Sequence, residues 1–351
     1  MMLVAYQPSV EKVFMNKVWR LALVITGFVA STASSTAALA PASPPLKVAI
    51  LVFDRAENID FTGPLQVFDD AGFEAFTVAA DRNAVVVSGG LSVVPQFTFT
   101  DSPDADVIVI PGGQVDDVMM DPAVLGWIKA KAGRARHVLS VCNGAFILAH
   151  TGLLEGATVT TTSGNVKSLR EHSPGTKVVR DKRVVDHGKV ITTGGLSAGI
   201  DGALHVVAKL RGQGHARFVA QTLEYDWRPE GGYLPATYAL RHLPMYLDRK
   251  LAKLARIDKV VSSGGDARRW NISFLVTSGT PPATLLPRIG TLLSTYGAWG
   301  KPTATGRGHI EDWKFKDEDG DQWTASARLL PVKGNDQQHV LTIEVSAKKR
   351  T

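Results

Sequence analysis

One cysteine stands in 351 residues, Cys142, and its place in the chain is where a nucleophile is most easily built. Residues 137–141 read as an apolar strand and residues 144–151 as a helix, so Ser140-Val-Cys-Asn-Gly-Ala145 passes from strand to helix without a loop. That passage forces a sharp turn and presents the side chain at the end of the strand. A thiol there meets the positive end of a helix dipole, which favours the thiolate, and backbone N–H groups that can receive a developing negative charge. It is therefore expected to ionise easily. A lone cysteine read from its type alone is core filler; the elbow position favours a functional reading. Two more pieces belong to the same edge. Asp60 follows the first apolar strand, just before Thr62-Gly63-Pro64, and a carboxyl beside a thiol can hold and move a proton; the plainer role is a helix cap. Pro111-Gly112-Gly113 closes a second apolar strand and can bring a glycine N–H beside the sulfur.

These residues need a scaffold, and the sequence supplies an alternating one. Residues 47–53 and 106–110 are near-continuous apolar runs, the pattern of strands buried on both faces of a parallel sheet. Strands are also expected at 76–80, 137–141, 158–162, 178–179, 184–185 and 190–193. Helices are expected at 65–72, opened by Pro64, and at 124–133, 144–151 and 200–211. Residues 85–87 and 92–94 bracket Gly89-Gly90 as a hairpin. The class is α/β, a flavodoxin-like doubly wound and mostly parallel sheet over residues 46–228, with ligands gathering at the strand carboxyl ends. Residues 229–261 read as a helical linker, ending in a Ser262-Ser-Gly-Gly265 break. Residues 262–351 read as a small α+β module: strand, helix at 282–296, three strands. Its acidic run Asp317-Glu-Asp-Gly-Asp321 lacks the twelve-residue ligand pattern of a calcium loop and reads as a solvated turn.

Composition narrows the classes. Apolar residues make up 44% and charged residues 21%, ordinary for a globular chain. A single cysteine excludes a disulfide framework and thiolate-rich metal sites. The net charge of +6 is spread without a block, so no nucleic-acid footprint is indicated. No spaced-glycine fingerprint or phosphate loop points to a nucleotide, no histidine or carboxylate pair has zinc spacing, and neither cofactor nor metal is expected. Residues 1–40 have the layout of a secretory signal: Lys17 and Arg20, an apolar run at 21–30, then small residues ending in Ala38-Leu39-Ala40, with translation starting at Met15. The expected location is periplasmic or secreted; the alternative is anchoring by an uncleaved N-terminal segment, the only route to a membrane.

Four ordered stretches carry a resemblance: VAILVFDRAENIDFTGPLQVF, DVIVIPGG, SVCNGAFILAHTGLLEGATVTTT and VITTGGLSAGIDGALHVVAKL with its trailing LEYD. Residues 46–228 resemble the DJ-1/PfpI family of class I glutamine-amidotransferase-like proteins, in the branch of isonitrile hydratases and AraC-type sensor domains. The resemblance implies a homodimer with Cys142 as nucleophile, Asp60 as its acidic partner, Gly113 and Asn143 as backbone donors to a developing charge, and a small molecule as substrate or ligand. Two positions depart from the hydratases, which carry threonine where this chain has Asn143 and Thr-Thr-His-Trp where it has Thr160-Thr161-Thr162-Ser163. No imidazole comes from that strand. His150 lies eight residues past Cys142, about 12 Å along a helix; His187 reads as hairpin and His205 as helix surface. Ser197 and Asp201 read as helix caps. Two functions follow: a thiol-dependent lyase or hydrolase resembling isonitrile hydratase, or a non-enzymatic periplasmic redox or ligand sensor. A DNA-binding regulator would need a helix-turn-helix after residue 262, which the strand-rich pattern does not offer.

Overall fold

The computed structural model describes residues 44–348 apart from 181, 230–240, 244–246, 267, 297–298 and 304–308. The segment read as an export signal and much of the stretch read as a helical linker lie outside the described residues.

Strand β1 (Lys47–Leu51) and strand β6 (Val107–Ile110) are fully buried, Val48 to Leu51 and all four residues of β6 at zero exposure. Apolar residues on both faces leave such strands only a central place in a sheet covered on two sides. They take it. The seven-stranded sheet runs β10-β11-β7-β6-β1-β2-β5, with β2 at Glu74–Ala79, β5 at Phe97–Thr98, β7 at His137–Ser140, β10 at Val184–His187 and β11 at Val190–Thr193. Every pairing is parallel except β10 with β11. Helices α1 (Asn58–Asp70), α2 (Pro122–Arg134), α3 (Gly144–Thr151), α4 (Val166–His172), α5 (Ala198–Arg211) and α6 (Gln213–Thr222) fill the crossovers, and β3 (Val85–Val86) with β4 (Ser92–Val93) forms the expected hairpin. The fold class read from the sequence is the one observed.

Two elements differ from expectation. Helix α1 starts at Asn58, seven residues before the expected opening, and carries Pro64 inside it. As the seventh residue of the helix Pro64 forgoes the hydrogen bond its N–H would make to Asp60 O, and the fully buried Phe68 and Val67 beyond it supply compensating contacts. The consequence is functional: Asp60 lies in the first turn of α1. The strand expected at 158–162 shrinks to β8 (Thr158–Val159), paired with β9 (Lys177–Val178) outside the main sheet. Thr160 to Thr162 leave it and turn towards Cys142.

The C-terminal region has its own core. Strands β12 (Arg256–Gly265), β13 (Arg269–Thr277), β14 (Ile310–Lys316), β15 (Gln322–Val332) and β16 (Asn335–Ala347) form an antiparallel sheet in the order β12-β13-β16-β15-β14. Leu285, Leu286, Ile289 and Leu293 of the helix Pro282–Tyr296 join Trp313, Trp323 and Leu341 in one buried cluster. Strand β12 begins inside the stretch read as a helical linker, and the Ser262-Ser-Gly-Gly265 run is its far end, not a break. Pairing with β13 overrides the turn preference of those small residues. The acidic turn joins β14 to β15 with Glu318, Asp319 and Gly320 exposed, as expected, but its first residue is not solvated. Asp317 is 9% exposed, pairs with Arg241 at 2.6 Å, and accepts the Trp323 indole N–H at 2.8 Å and the Asp321 N–H at 2.9 Å. Arg180, which follows β9, pairs with Glu318 and Asp319 of the same turn. Among the described residues no helix is long and apolar enough to cross a membrane.

Candidate functional site

Parallel β1, β6 and β7 end on one edge, which brings together the three pieces that lie far apart in the chain. Cys142 follows β7, and its N–H donates to Gly194 O beyond neighbouring β11 at 3.0 Å. The residue takes φ 59°, a left-handed conformation that a side chain adopts only where its surroundings enforce it. Gly144 is required by the same turn: a Cβ there would sit 2.4 Å from Ile110 O and 2.7 Å from Pro111 O. Without that close approach α3 could not start two residues after the sulfur.

Asp60 is fully buried and interacts electrostatically with the Cys142 thiol beside it. Its carboxylate accepts the Leu196 N–H at 2.8 Å and the Gly112 N–H at 3.2 Å. Burial nevertheless wins over these donors, and its pKa is raised to about 6 from the usual 3.8. The thiol is likewise pushed well above its usual range, first by burial and next by the charge of Asp60 beside it, against the Asn143 N–H that faces the sulfur. The easily ionised sulfur expected from the helix dipole is thus corrected. Two acids share a site without a cation, and together they keep a proton.

The expected donors part company. The backbone N–H of Asn143 faces the sulfur, whereas the Gly113 N–H is already spent, donating to Asn143 Oδ1 at 2.8 Å while Asn143 Nδ2 returns a bond to Gly113 O at 2.8 Å. The asparagine side chain clasps the β6 loop to the elbow, a role open to a planar amide with one donor and one acceptor end. Gly113 therefore shapes the site and does not offer its N–H to it. No described histidine contact reaches the sulfur: His150 bonds Phe146 O, His205 pairs with Asp186, and His187 lies at Thr158 N.

The resemblance implies a place near the pocket for the segment after β11, but sequence reasoning assigned no site residue to it. A Cβ on Gly195 would lie 2.9 Å from Cys142 Sγ and 2.7 Å from Thr162 Cγ2, so that glycine lets the chain press against the sulfur. Leu196, at φ 57°, turns its N–H onto Asp60. The signal was available, since Gly194-Gly195 ends an apolar strand on the same edge. Thr161 Oγ1 donates to Cys142 O at 2.8 Å, and Thr162 Oγ1 is buried with no hydrogen-bond partner among the described residues. Ser197 holds the N-cap position of α5 and Asp201 its first turn, as expected of helix-start residues, but neither side chain caps: Ser197 Oγ accepts from Arg183 and Asp201 pairs with Arg183.

The chain that carries this site is similar to several known proteins. An isonitrile hydratase from Pseudomonas putida is 38% identical over 186 residues, 52% of this chain and 80% of that one. Protein DJ-1alpha of Drosophila melanogaster is 27% identical over 51% of this chain and 84% of that one. A THiJ/PfpI family protein from Pseudomonas syringae, known by its crystal structure, is 30% identical over 54% of this chain and 78% of that one, with a TM-score of 0.49. Residues 46–209 match the model of the DJ-1/PfpI family. The residues that surround Cys142, from Asp60 to Leu196, all fall inside that match, and the chain belongs to the DJ-1/PfpI family.

Proposed function

We propose that the α/β region is a cysteine-dependent lyase that hydrates a small isocyanide-like electrophile, with Cys142 as nucleophile and Asp60 as proton carrier. The observation that carries this reading is Cys142 at a strained strand-to-helix turn with the fully buried Asp60 carboxyl beside it. An isocyanide needs both a nucleophile and a proton at the same terminal carbon, and a dyad that transfers the thiol proton while the sulfur attacks supplies the two together. The sulfur bonds to the terminal carbon and the thiol proton passes through Asp60 to that carbon, leaving a thioimidate, R–N=CH–S–Cys142. Asp60 then takes a proton from water as its oxygen adds to the carbon. The nitrogen receives that proton, the C–S bond breaks, the hydroxyl proton returns to sulfur, and R–NH–CHO departs. The Asn143 N–H is placed to steady charge on sulfur during both steps.

The identity to an isonitrile hydratase supports this reaction over others open to a thiol. A peroxide sensor is less well supported, because oxidation follows thiolate character and this thiol is held protonated. Incubation with benzyl isocyanide and mass detection of the formamide tests the reading. Turnover is expected in the full chain and lost in Cys142→Ser and Asp60→Asn; turnover that survives Cys142→Ser would falsify it. Accumulation of reversible sulfenate at Cys142 without turnover would select the sensor instead. Export and a homodimer remain part of the proposal, checked by the N-terminal sequence of the mature protein and by light scattering.

A further inference from the structure

The turn Gly194 to Ser197 does two jobs at the site. Gly195 lies against the sulfur and the Leu196 N–H reaches Asp60 at 2.8 Å. Neither job is secured by packing of the turn itself. Leu196 is 53% exposed and sits at φ 57°, a conformation that strains a residue with a side chain. The restraint comes from behind. Arg183 accepts the Gly194 N–H on its carbonyl at 2.9 Å and donates from Nη2 to Ser197 Oγ at 2.8 Å, while its Nε pairs with Asp201. Tyr225 donates its hydroxyl towards Asp201 Oδ1 at 3.1 Å and towards Ser197 O at 3.3 Å. The Arg183 and Asp201 side chains are only 17% and 10% exposed. A cap on α5 would need none of this: Ser197 alone could serve, yet it makes no side-chain cap bond.

We propose that Arg183, Asp201 and Tyr225 are positioning residues that clamp the Gly194–Ser197 turn in the geometry where the Leu196 amide reaches Asp60 and Gly195 covers Cys142. The three come from the approach to β10, the first turn of α5 and the segment after α6, and none is among the groups that contact the sulfur. The inference rests on the thiol–carboxyl pair of the preceding section. When the brace loosens, Asp60 loses one of its two backbone donors and its carboxylate becomes harder to form, with Cys142 and the nearby Glu57 as the other titratable groups facing it.

The single thiol makes the test direct. Iodoacetamide labelling of the full chain, followed by intact mass across pH 4.5 to 10, reads Cys142 alone. The wild type is expected to show a lower inflection near pH 6 from Asp60 and a second rise at alkaline pH. In Tyr225→Phe and Arg183→Met the lower inflection is expected to move up by about one pH unit, one lost charge-stabilising hydrogen bond, with Arg183→Lys moving it less. Unchanged inflections in both variants, while Asp60→Asn abolishes the lower one, would overturn the brace and leave the dyad standing. A lower inflection that persists in Asp60→Asn overturns the dyad and the brace with it. Should Arg183→Met not fold, Tyr225→Phe, which removes one hydroxyl, decides the matter.

Discussion

Two places in this molecule bury carboxylates, and they treat them oppositely. At the rim of the parallel sheet Asp60 is fully buried beside a thiol, a second acid, and its pKa rises to about 6. At the turn between β14 and β15 Asp317 is 9% exposed beside Arg241, accepts the Trp323 indole N–H and two backbone N–H groups, and its pKa falls below the usual carboxylate range. Desolvation raises both. At Asp60 burial outweighs the hydrogen bonds the carboxylate accepts, whereas at Asp317 the Trp323 indole, the backbone N–H groups and Arg241 together outweigh it. The first arrangement keeps a proton available for chemistry, and the second joins the C-terminal sheet to the α/β region through Arg180 and its partners Glu318 and Asp319.

The strongest way to sharpen the contrast lies at the ionic turn, in acid. His242 packs against Trp323 in a tilted arrangement with ring centroids 4.2 Å apart, and its pKa is lowered from 6.5 to about 3, by burial first and by Arg241 next. A base whose folded pKa is depressed contributes stability that is present above pH 6.5 and is lost as pH falls from there towards 3. At about 1.4 kcal/mol per unit the loss approaches about 4–5 kcal/mol. Urea unfolding followed by tryptophan fluorescence at pH 7 and pH 4 should show His242→Phe losing clearly less stability on acidification than the wild type. Equal losses in the two proteins would mean that the imidazole is not the group resisting protonation.

Breaking the turn at neutral pH comes next. Asp317→Ala takes the acceptor from the indole N–H and the nearer carboxylate from Arg241, which keeps Asp319 at 3.6 Å, and removing one partner of a buried pair costs up to about 3–5 kcal/mol. Asp317→Asn, which keeps acceptors for the indole and backbone N–H groups, should cost less. Thermal unfolding of the two variants side by side checks the order, and an alanine variant as stable as the asparagine one would show the charge to be idle.

Asp60 runs the other way with pH. Its folded pKa lies above the unfolded 3.8, so its contribution is fully present below pH 4 and is lost as pH rises through about 6. That amounts to about 3 kcal/mol by pH 7. Asp60→Asn does not titrate, so its stability relative to wild type should climb by that order between pH 4 and pH 7. The same substitution removes the negative charge facing the thiol. Iodoacetamide labelling of Cys142 at pH 8 should accelerate about tenfold, one pKa unit, while turnover of an isocyanide is lost. Slower labelling in Asp60→Asn would reverse the sign assigned to the pair.

The contrast also explains what could be read from the sequence. The sheet and the elbow were legible because they rest on local pattern: apolar runs at 47–51 and 107–110, a strand passing directly into a helix at Cys142, and a parallel topology that puts Asp60 on the same edge. Electrostatic outcome was not legible, because it depends on which groups meet across long separations. Asp60 meets Leu196 136 residues away, and Arg180 meets Asp319 139 residues away. The helix dipole at Cys142 was a sound local inference, outweighed by burial of the thiol first and by the Asp60 charge next. Asp317 likewise looked solvated because its cationic partner Arg241 lies far off in the chain. Asp201 read as a cap for the same reason, its partners Arg183 and Tyr225 being 18 and 24 residues away.

The smallest expected effect separates packing from polarity at the rim. Thr162 Oγ1 is buried without a hydrogen-bond partner among the described residues, and its Cγ2 faces Gly195. A buried hydroxyl with no partner costs folding free energy, and an isosteric methyl removes the cost without leaving a void. Thr162→Val should therefore be neutral or stabilising by up to about 1 kcal/mol in urea unfolding. It should also leave the pH profile of Cys142 labelling unchanged, since the hydroxyl contacts neither Asp60 nor the sulfur through a hydrogen bond. A loss of more than about 1 kcal/mol would reveal a hidden partner for that hydroxyl, such as a bound water. A shifted labelling profile would place Thr162 in the proton network with Asp60, and the pair of acids would then be a set of three groups.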